Sequence, residues 1–456
     1  MPATEAALLD YAHELEALAA RLGLEYYPVD FEVVPNNFMM EIAVYGLPVR
    51  MPHWSFGVRY IHQLILQGMG NSRIFEVMFP GDPCHAYLVA NNSLAENTLV
   101  AAHVLGHADF AKNNHLFARF MDMAGGRILQ QAAARARGIE AAIRQFGHER
   151  VEAVLDAALA LEPHIDVDQP LYRERYPDKV TPAAPRTAPG SFQQRYRNLP
   201  GELTRERNDA PGSATLPPQP ECDLLWFIAQ YAPALDAWER DIFLAVREES
   251  FYFYPVFACQ IMNEGWACYW HARLLREADF LPDDLYVSAI KAHSDVVRPF
   301  AAEQQMALAV NPYHLGFSMW EAIIARDGLD TARRICREED DFGFVRNYLD
   351  TTLAEKLGLF VYETHEDGAI KIAARDIHAV REAILAPIYN YGAPRIAATH
   401  LNTDGSLDLT HDFKSDGRGL DLGRAERVLD YLARIWRRPV SLTTLSETGH
   451  TRVLRR

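Results

Sequence analysis

The sequence lacks the long apolar runs and the surplus of basic residues that membrane-spanning and nucleic-acid-binding proteins need. No stretch approaches the roughly 18 to 20 uninterrupted apolar residues that cross a bilayer. Lysine and arginine number 45 against 61 aspartates and glutamates, so the formal net charge is −16. A surface of that sign repels phosphate backbones and anionic lipids. The composition therefore predicts neither a membrane protein nor a nucleic-acid partner.

Cysteine is also scarce, and the glycine motifs of common nucleotide and hydrolase sites are missing. The five cysteines are scattered, with no C-x-x-C pair, which is typical of reduced thiols rather than of a disulfide framework. The N-terminal segment has acids where a secretory signal has bases. We find no G-x-x-x-x-G-K-[ST], no G-x-G-x-x-G after a strand and no G-x-S-x-G. These features predict a cytoplasmic protein.

Helical periodicity dominates what is present. A length of 456 residues suggests two or three domains. Apolar residues at helical spacing over 1–165 and 222–352 predict the two halves of a mainly α-helical main body. Eleven of the 26 prolines fall between Pro163 and Pro220, among few aliphatic residues. Such a segment buries too little apolar surface to offset its ordering entropy, so 166–221 is predicted as an exposed linker or arm.

The C-terminal segment 355–456 has a different pattern. Two predicted hairpins, one of them turning at Asp404 and Gly405, and a final strand "PVSLTTL" alternate with two predicted helices. Strands that alternate with two helices indicate a small α+β domain of ferredoxin-like type. The predicted fold class is therefore α+β, mainly α-helical, with a small C-terminal domain.

The first candidate for chemistry is a pair of histidines on a well-marked helix. Two predicted strands, "RIFEVMF" and "HAYLVA", precede "SLAENTLVAAHVLGHADFAKNN", in which Ser93 and Glu96 form a capping box. His103 and His107 lie four residues apart and share a helix face. This spacing matches the H-E-x-x-H motif of zinc hydrolases, but Val104 replaces the glutamate that serves as general base. The alternative is that both are core or capping histidines hydrogen-bonded to neighbours.

The second candidate is the segment "IMNEGWACYWH". Glu264, Cys268 and His271 occupy positions i, i+4 and i+7 and therefore one helix face, inside an aromatic run. Charged side chains are seldom buried unless they are paired or bind a metal. "NEGWA" also resembles the segment in which gluzincin aminopeptidases place their third zinc ligand.

Together these segments predict a site for zinc or another divalent transition metal. His103, His107 and Glu264 would be ligands, with His271 either a fourth ligand or a residue that orients one. A buried polar network is the alternative. With no glutamate at position 104, the predicted proton acceptor is Glu96 or Asp109. The acid-rich run "CREEDDFGFVRNYLD" is predicted to be a solvated face.

Six blocks, in order along the chain, resemble the SpoVR family of stage V sporulation protein R-like proteins. They are "PHWSFG", "DPCHAYLVANN", "AHVLGHADFAKNN", "YFYPVFACQIMNEGWACYWH", "NPYHLGF" and "DFGFVRNYL". The resemblance implies a role in sporulation or in the stress response. It also implies a PrkA-type serine kinase and a von Willebrand-type protein as partners. Two hypotheses follow from the whole sequence: a zincin-like metal-dependent hydrolase acting on peptides or cell-wall precursors, or a signalling scaffold with a structural metal.

Overall fold

The computed structural model describes residues 3–47, 49–68, 76–123, 128–168, 216–299, 310–364, 370–374, 376–417, 419–445 and 449–456. Its α-helices, in chain order, are α1 Ala3–Arg21, α2 Asn36–Tyr45, α3 Trp54–Gly68, α4 Leu94–Asn113, α5 His115–Met123, α6 Ile128–Phe146, α7 His148–Ala160, α8 Leu224–Tyr231, α9 Ala237–Ala258, α10 Gln260–Glu277, α11 Asp283–Val296, α12 Pro312–Asp327, α13 Leu329–Glu338, α14 Asp341–Tyr348, α15 Thr351–Lys356, α16 Ile377–Leu385, α17 Phe413–Asp416 and α18 Leu422–Trp436. Its strands are β1 Val29–Val34, β2 Glu76–Phe79, β3 Cys84–Val89, β4 Val361–Thr364, β5 Ile370–Ala374, β6 Ile396–Leu401, β7 Leu407–His411, β8 Val440–Leu445 and β9 Thr451–Arg455. The predicted class, α+β and mainly helical with a small C-terminal sheet, is confirmed.

Two predictions concern regions that the structure covers only in part. The Pro-rich arm predicted at 166–221 lies outside the described residues except for 166–168 and 216–221. Within the described ranges, no helix has both the length and the apolar character that a bilayer span requires.

The described chain forms two compact units, each built from two separate segments. Unit 1 comprises Met1–Leu155 and Leu244–Ala393, and unit 2 comprises Asp156–Phe243 and Pro394–Arg456. The boundary between 393 and 394 falls inside the segment that the sequence predicts as one C-terminal domain. Periodicity identifies β4, β5 and α16 as elements, but it does not say which core they join.

Unit 1 is organised around α4. This helix begins at the predicted capping box, which is confirmed: the Glu96 backbone N–H donates to Ser93 Oγ, and the Glu96 carboxylate accepts from the Ser93 N–H. Its residues from Asn97 to Ala111 are all buried, as expected of a helix enclosed on every side. β1, β3 and β2 form a mixed sheet in that order, with β1 parallel and β2 antiparallel to β3. β2 and β3 both contact α4, which brings the start of β2 close to this helix.

Glycines let three helices of unit 1 approach one another closely. A Cβ at Gly106 of α4 would lie 2.7 Å from Ala267 Cα of α10. A Cβ at Gly265 of α10 would lie 2.2 Å from the carbonyl carbon of Gly316 of α12, and one at Gly316 would lie 2.0 Å from Ile261 O. Only glycine fits at these crossings. Because Gly106 is next to His107 and Gly265 is next to Glu264, the same close approach brings the candidate ligands together.

Unit 2 contains the C-terminal sheet, whose strand order is β6-β7-β8-β9. β7 and β8 pair in parallel, while the β6–β7 and β8–β9 pairs are antiparallel. α18 lies between the two parallel strands in the chain and packs on β8. Its Trp436 is fully buried and stacks on Phe227 of α8, with ring centroids 6.3 Å apart. This core contains none of the predicted ligands.

Candidate metal centre

α4 and α10 bring the two imidazoles and the carboxylate together. Glu264 Oε2 lies 3.5 Å from His103 Nε2 and 3.4 Å from His107 Nε2. The two imidazole rings are nearly perpendicular, with centroids 4.4 Å apart. Residues separated by more than 150 positions in the chain therefore converge on one point, with Glu264 facing both imidazoles.

The geometry of these three groups fits a bound transition-metal ion. Two ligands about 2.1 Å from a tetrahedral ion lie about 3.4 Å apart, which agrees with the two distances to Glu264 Oε2. In the described part of the chain, His103 Nε2 and Glu264 Oε2 are buried and have no hydrogen-bond partner. Leaving such atoms unsatisfied costs roughly 1–3 kcal/mol each. A cation between them would satisfy both.

A fourth donor, Glu76, comes from the first residue of β2. Its Oε1 lies 3.9 Å from His103 Nε2, and the ligand atoms of Glu76, His103 and His107 are all within 4.8 Å of one another. The sequence analysis did not single out this residue. The available signal was one acidic residue within the otherwise apolar strand "FEVMF". That signal alone does not say which face of the strand Glu76 occupies.

Neighbouring side chains orient both imidazoles. His107 Nδ1 lies 2.9 Å from Asn263 Oδ1, so Nδ1–H donates to the amide oxygen and Nε2 faces Glu264. His103 Nδ1 lies 2.9 Å from His271 Nδ1, and His271 Nε2 lies 2.5 Å from His293 Nδ1. His271 therefore lies on the opposite side of the His103 ring from the carboxylates. Of the two roles predicted for it, this position matches the orienting residue.

The electrostatics of the site are those of a buried cluster of opposing charges. Burial lowers the pKa of His103 to about 4, and burial together with repulsion from Glu264 raises the pKa of Glu76 to about 7. Burial opposes ionisation of Glu264, yet the His107 and His103 imidazoles hold its pKa well below its usual range. His103 is thus neutral and Glu264 ionised, as metal ligands must be. Burial opposes protonation of His107, but attraction to Glu264 raises its pKa, so an incoming metal ion would displace a proton there.

The carboxylates are the more exposed side chains of the site. The side chains of Glu76 and Glu264 are 15% and 19% exposed, against 4% and 10% for His103 and His107. Tyr313, at the start of α12, lies over the site with its ring stacked on His103 at a centroid distance of 6.1 Å. The imidazoles are therefore more enclosed than the carboxylates.

The two predicted proton acceptors lie elsewhere. Glu96 occupies the first turn of α4, where it closes the capping box, and seven residues of helix place it about 10 Å along the axis from His103. Asp109 accepts hydrogen bonds from the backbone N–H of Glu25, at 2.7 Å, and from Trp266 Nε1, at 2.8 Å. Both carboxylates have structural partners, and the structure brings Glu76 to the imidazoles instead.

Comparisons with known proteins agree on one family. The family model described as "SpoVR like protein" matches residues 3–393. The chain is also similar to the "Uncharacterized protein YcgB" of Escherichia coli (strain K12), with 28% identity over an alignment of 487 positions. The alignment covers 98% of this chain and 94% of that protein. No solved structure matches. The matched range contains every residue of the candidate metal centre.

Proposed function

The chain belongs to the SpoVR family, and from this premise and the site geometry we propose that unit 1 is a metal-dependent hydrolase. His103, His107 and Glu264 would hold one zinc or similar divalent transition-metal ion. The observation that carries this proposal is the pair of buried atoms His103 Nε2 and Glu264 Oε2, which lie 3.5 Å apart without a hydrogen bond in the described structure. The zincin-like character lies in this ligand chemistry. This zincin-like metal-site character and the ferredoxin-like type of the C-terminal domain are both proposals.

Glu76 supplies the proton acceptor that Val104 cannot provide. When bound, zinc or a related ion would lower the pKa of a coordinated water molecule to near neutrality. Glu76 is close enough to His103, at 3.9 Å, to accept a proton beside the ion, and it lies on the more exposed edge of the site. Glu76 of β2 would thus take the role that the glutamate of the H-E-x-x-H motif has in zinc hydrolases. Peptides or cell-wall precursors are the proposed substrates, following from the sporulation role that the family resemblance implies.

The direct test is the metal content of purified protein, compared between the wild type and His107→Ala. We expect about one transition-metal ion per wild-type chain and a large loss in the variant, because removing one of three protein ligands weakens binding strongly. Inductively coupled plasma mass spectrometry after exhaustive dialysis measures both. His62→Ala, at an exposed position on α3, is the matched control and should retain the wild-type content. Equal metal content in wild type and His107→Ala would refute the proposal.

The number of potential metal ligands favours a second function, that of a scaffold with a structural metal. If Glu76 is a ligand rather than a base, two imidazoles and two carboxylates occupy all four coordination positions of a tetrahedral ion. A site with no open position is typical of a structural metal. The chain would then be a scaffold for a PrkA-type serine kinase and a von Willebrand-type protein. Glu76→Gln separates the two functions. Metal affinity close to that of the wild type supports the hydrolase, whereas a large loss of affinity supports the scaffold.

A further inference from the structure

The two nitrogens of His103 face different chemical surroundings. Nε2 faces Glu76, Glu264 and, beside them, His107. We call these donors, with His103 Nε2, the carboxylate set. Nδ1 faces the opposite way, toward His271 Nδ1 at 2.9 Å. The ring of His103 therefore separates two groups of potential ligands, and the proposed function uses only one of them.

Cys268 is a third buried side chain beside His103 and His271, and the proposed function leaves it unused. It lies one helical turn after Glu264 on α10, and its side chain is fully buried. The ligand atoms of His103, Cys268 and His271 all lie within 4.8 Å of one another. We call His103 Nδ1, Cys268 and His271 the thiol set. A buried cysteine is most often a small apolar residue, but this one has two imidazoles as close neighbours.

The two sets differ in the cations that they favour. Carboxylate oxygens suit harder ions, whereas a thiolate with imidazoles selects softer ones such as Zn²⁺. We propose that the thiol set binds a second, thiophilic divalent cation, and that His103 bridges it to the ion held by the carboxylate set. The proposal shares His103 with the proposed function, but it depends on different residues and can fail separately.

Binding at the thiol set requires the loss of two protons. The Cys268 thiol gives up its proton and binds as a thiolate, as cysteine ligands do. His103 gives up the Nδ1 proton that it now shares with His271, so that both of its nitrogens offer lone pairs and the ring bridges as imidazolate. Both protons leave to solvent as the cation enters, and no oxidation or reduction takes place.

The surroundings of His271 suit a ligand. Its Nε2 lies 2.5 Å from Nδ1 of His293, so Nε2–H has an acceptor while Nδ1 is directed at the thiol set. Ligand histidines in metal sites usually donate their other N–H in this way. His293 is only partly buried, so the buried thiol set lies next to a group that reaches solvent. The 2.9 Å contact between His103 and His271 would open by about 0.5 Å to the spacing of two ligands on one tetrahedral ion.

The test is a Co²⁺ titration of chelator-treated, full-length protein, followed by absorption spectroscopy and metal analysis. We expect the wild type to bind about two ions per chain and to show a thiolate-to-cobalt charge-transfer band in the near ultraviolet. Cys268→Ala should lose that band and about one ion, with an unchanged circular dichroism spectrum. Cys268→Ser, which preserves the size of the side chain, should behave in the same way. Cys84→Ser is the control, since this buried thiol donates to Gly81 O and is not in the thiol set.

The outcomes separate this inference from the proposed function. His107→Ala should lose the ion of the carboxylate set but retain the charge-transfer band. A wild type that binds one ion without the band, lost in His107→Ala, would refute the thiol site and leave the proposed function standing. A wild type that binds no ion would refute both. Equal binding by wild type and both Cys268 variants would show that the thiol is a core residue only.

Discussion

Asp341 is a fully buried carboxyl group that fixes the start of α10. Its two oxygens accept hydrogen bonds from the backbone N–H groups of Ile261 and Met262, at 2.8 and 2.9 Å. This cap sets the position of the helix that carries Glu264. Burial nevertheless raises the pKa of Asp341 to about 8, with a smaller contribution from the neighbouring Asp340. The acid run that predicts a solvated face thus contains a buried helix cap at this position.

The raised pKa of Asp341 gives a stability prediction with a definite sign. In the unfolded chain the group ionises near pH 4, whereas the folded protein holds its proton up to about pH 8. Its contribution to the free energy of unfolding is therefore complete below about pH 4 and falls as the pH rises to about 8. Asp341→Asn, which does not titrate, should lack this fall. The difference in free energy of unfolding between wild type and Asp341→Asn should therefore fall between about pH 4 and pH 8. The fall should be at least about 1.4 kcal/mol, which corresponds to a shift of one pKa unit.

Urea unfolding of both proteins at closely spaced pH values measures this difference. The variant keeps one amide oxygen as an acceptor for a capping N–H group, and its amide does not titrate between pH 4 and 8. Parallel stability curves for the two proteins between pH 4 and 8 would contradict the prediction.

At the scale of elements, the site depends on how closely α4, α10 and α12 cross. The spacing of His103 and His107, and that of Glu264, Cys268 and His271, is local and follows from the 3.6-residue helical period. The contact between the two faces depends instead on glycines at the crossings. Gly265 in α10 meets Gly316 in α12, and Gly106 in α4 meets Ala267. Each lies next to, or across from, a candidate ligand.

Substituting one of these glycines should separate the ligands. Gly265→Ala places a methyl group 2.2 Å from the Gly316 carbonyl carbon, so the helices must move apart. We expect a loss of stability on the order of 1–3 kcal/mol or more, together with weaker metal binding. The matched control is Gly138→Ala in α6, where the added Cβ meets nothing within 4 Å. That change should stabilise the protein by about 0.5–1 kcal/mol.

Denaturant unfolding and metal titration of the two variants check this prediction. Preserved stability and affinity in Gly265→Ala would show that the α10–α12 crossing does not set the ligand geometry.

At the scale of the molecule, the candidate metal centre belongs entirely to unit 1. Its donors come from two segments of the chain, before Leu155 and after Leu244, which only the folded unit brings together. A cation that binds this arrangement, and not the unfolded chain, stabilises the fold by mass action. Metal binding and the stability of unit 1 are therefore coupled.

Thermal unfolding should report this coupling. At a free metal concentration of 100 times the Kd, binding contributes about 2.7 kcal/mol to the stability of the folded state. Differential scanning calorimetry should thus show a higher Tm for the unfolding of unit 1 with metal than with a chelator. His107→Ala should show a smaller shift, because it loses the ion of the carboxylate set. The same metal-dependent shift in wild type and variant would place the binding elsewhere.

The sequence by itself determined the local features of this protein. It specified α4 with its capping box, the strands within "RIFEVMF" and "HAYLVA", the mainly helical class, and the shared faces of His103 with His107 and of Glu264 with His271. These follow from helical and strand periods and from side-chain-to-backbone hydrogen bonds a few residues apart.

Only the tertiary structure decided which of these groups meet and how. His103 and His271 are 168 positions apart in the sequence, and no local rule states that they contact through Nδ1 while Nε2 faces the carboxylates. Tertiary packing also decided three further features: Glu76 of β2 lies beside the imidazoles, Glu96 lies far from them, and Asp341 is buried. The physical reason is that packing between distant segments selects the partner of each side chain, whereas the sequence pattern fixes only the face on which it lies.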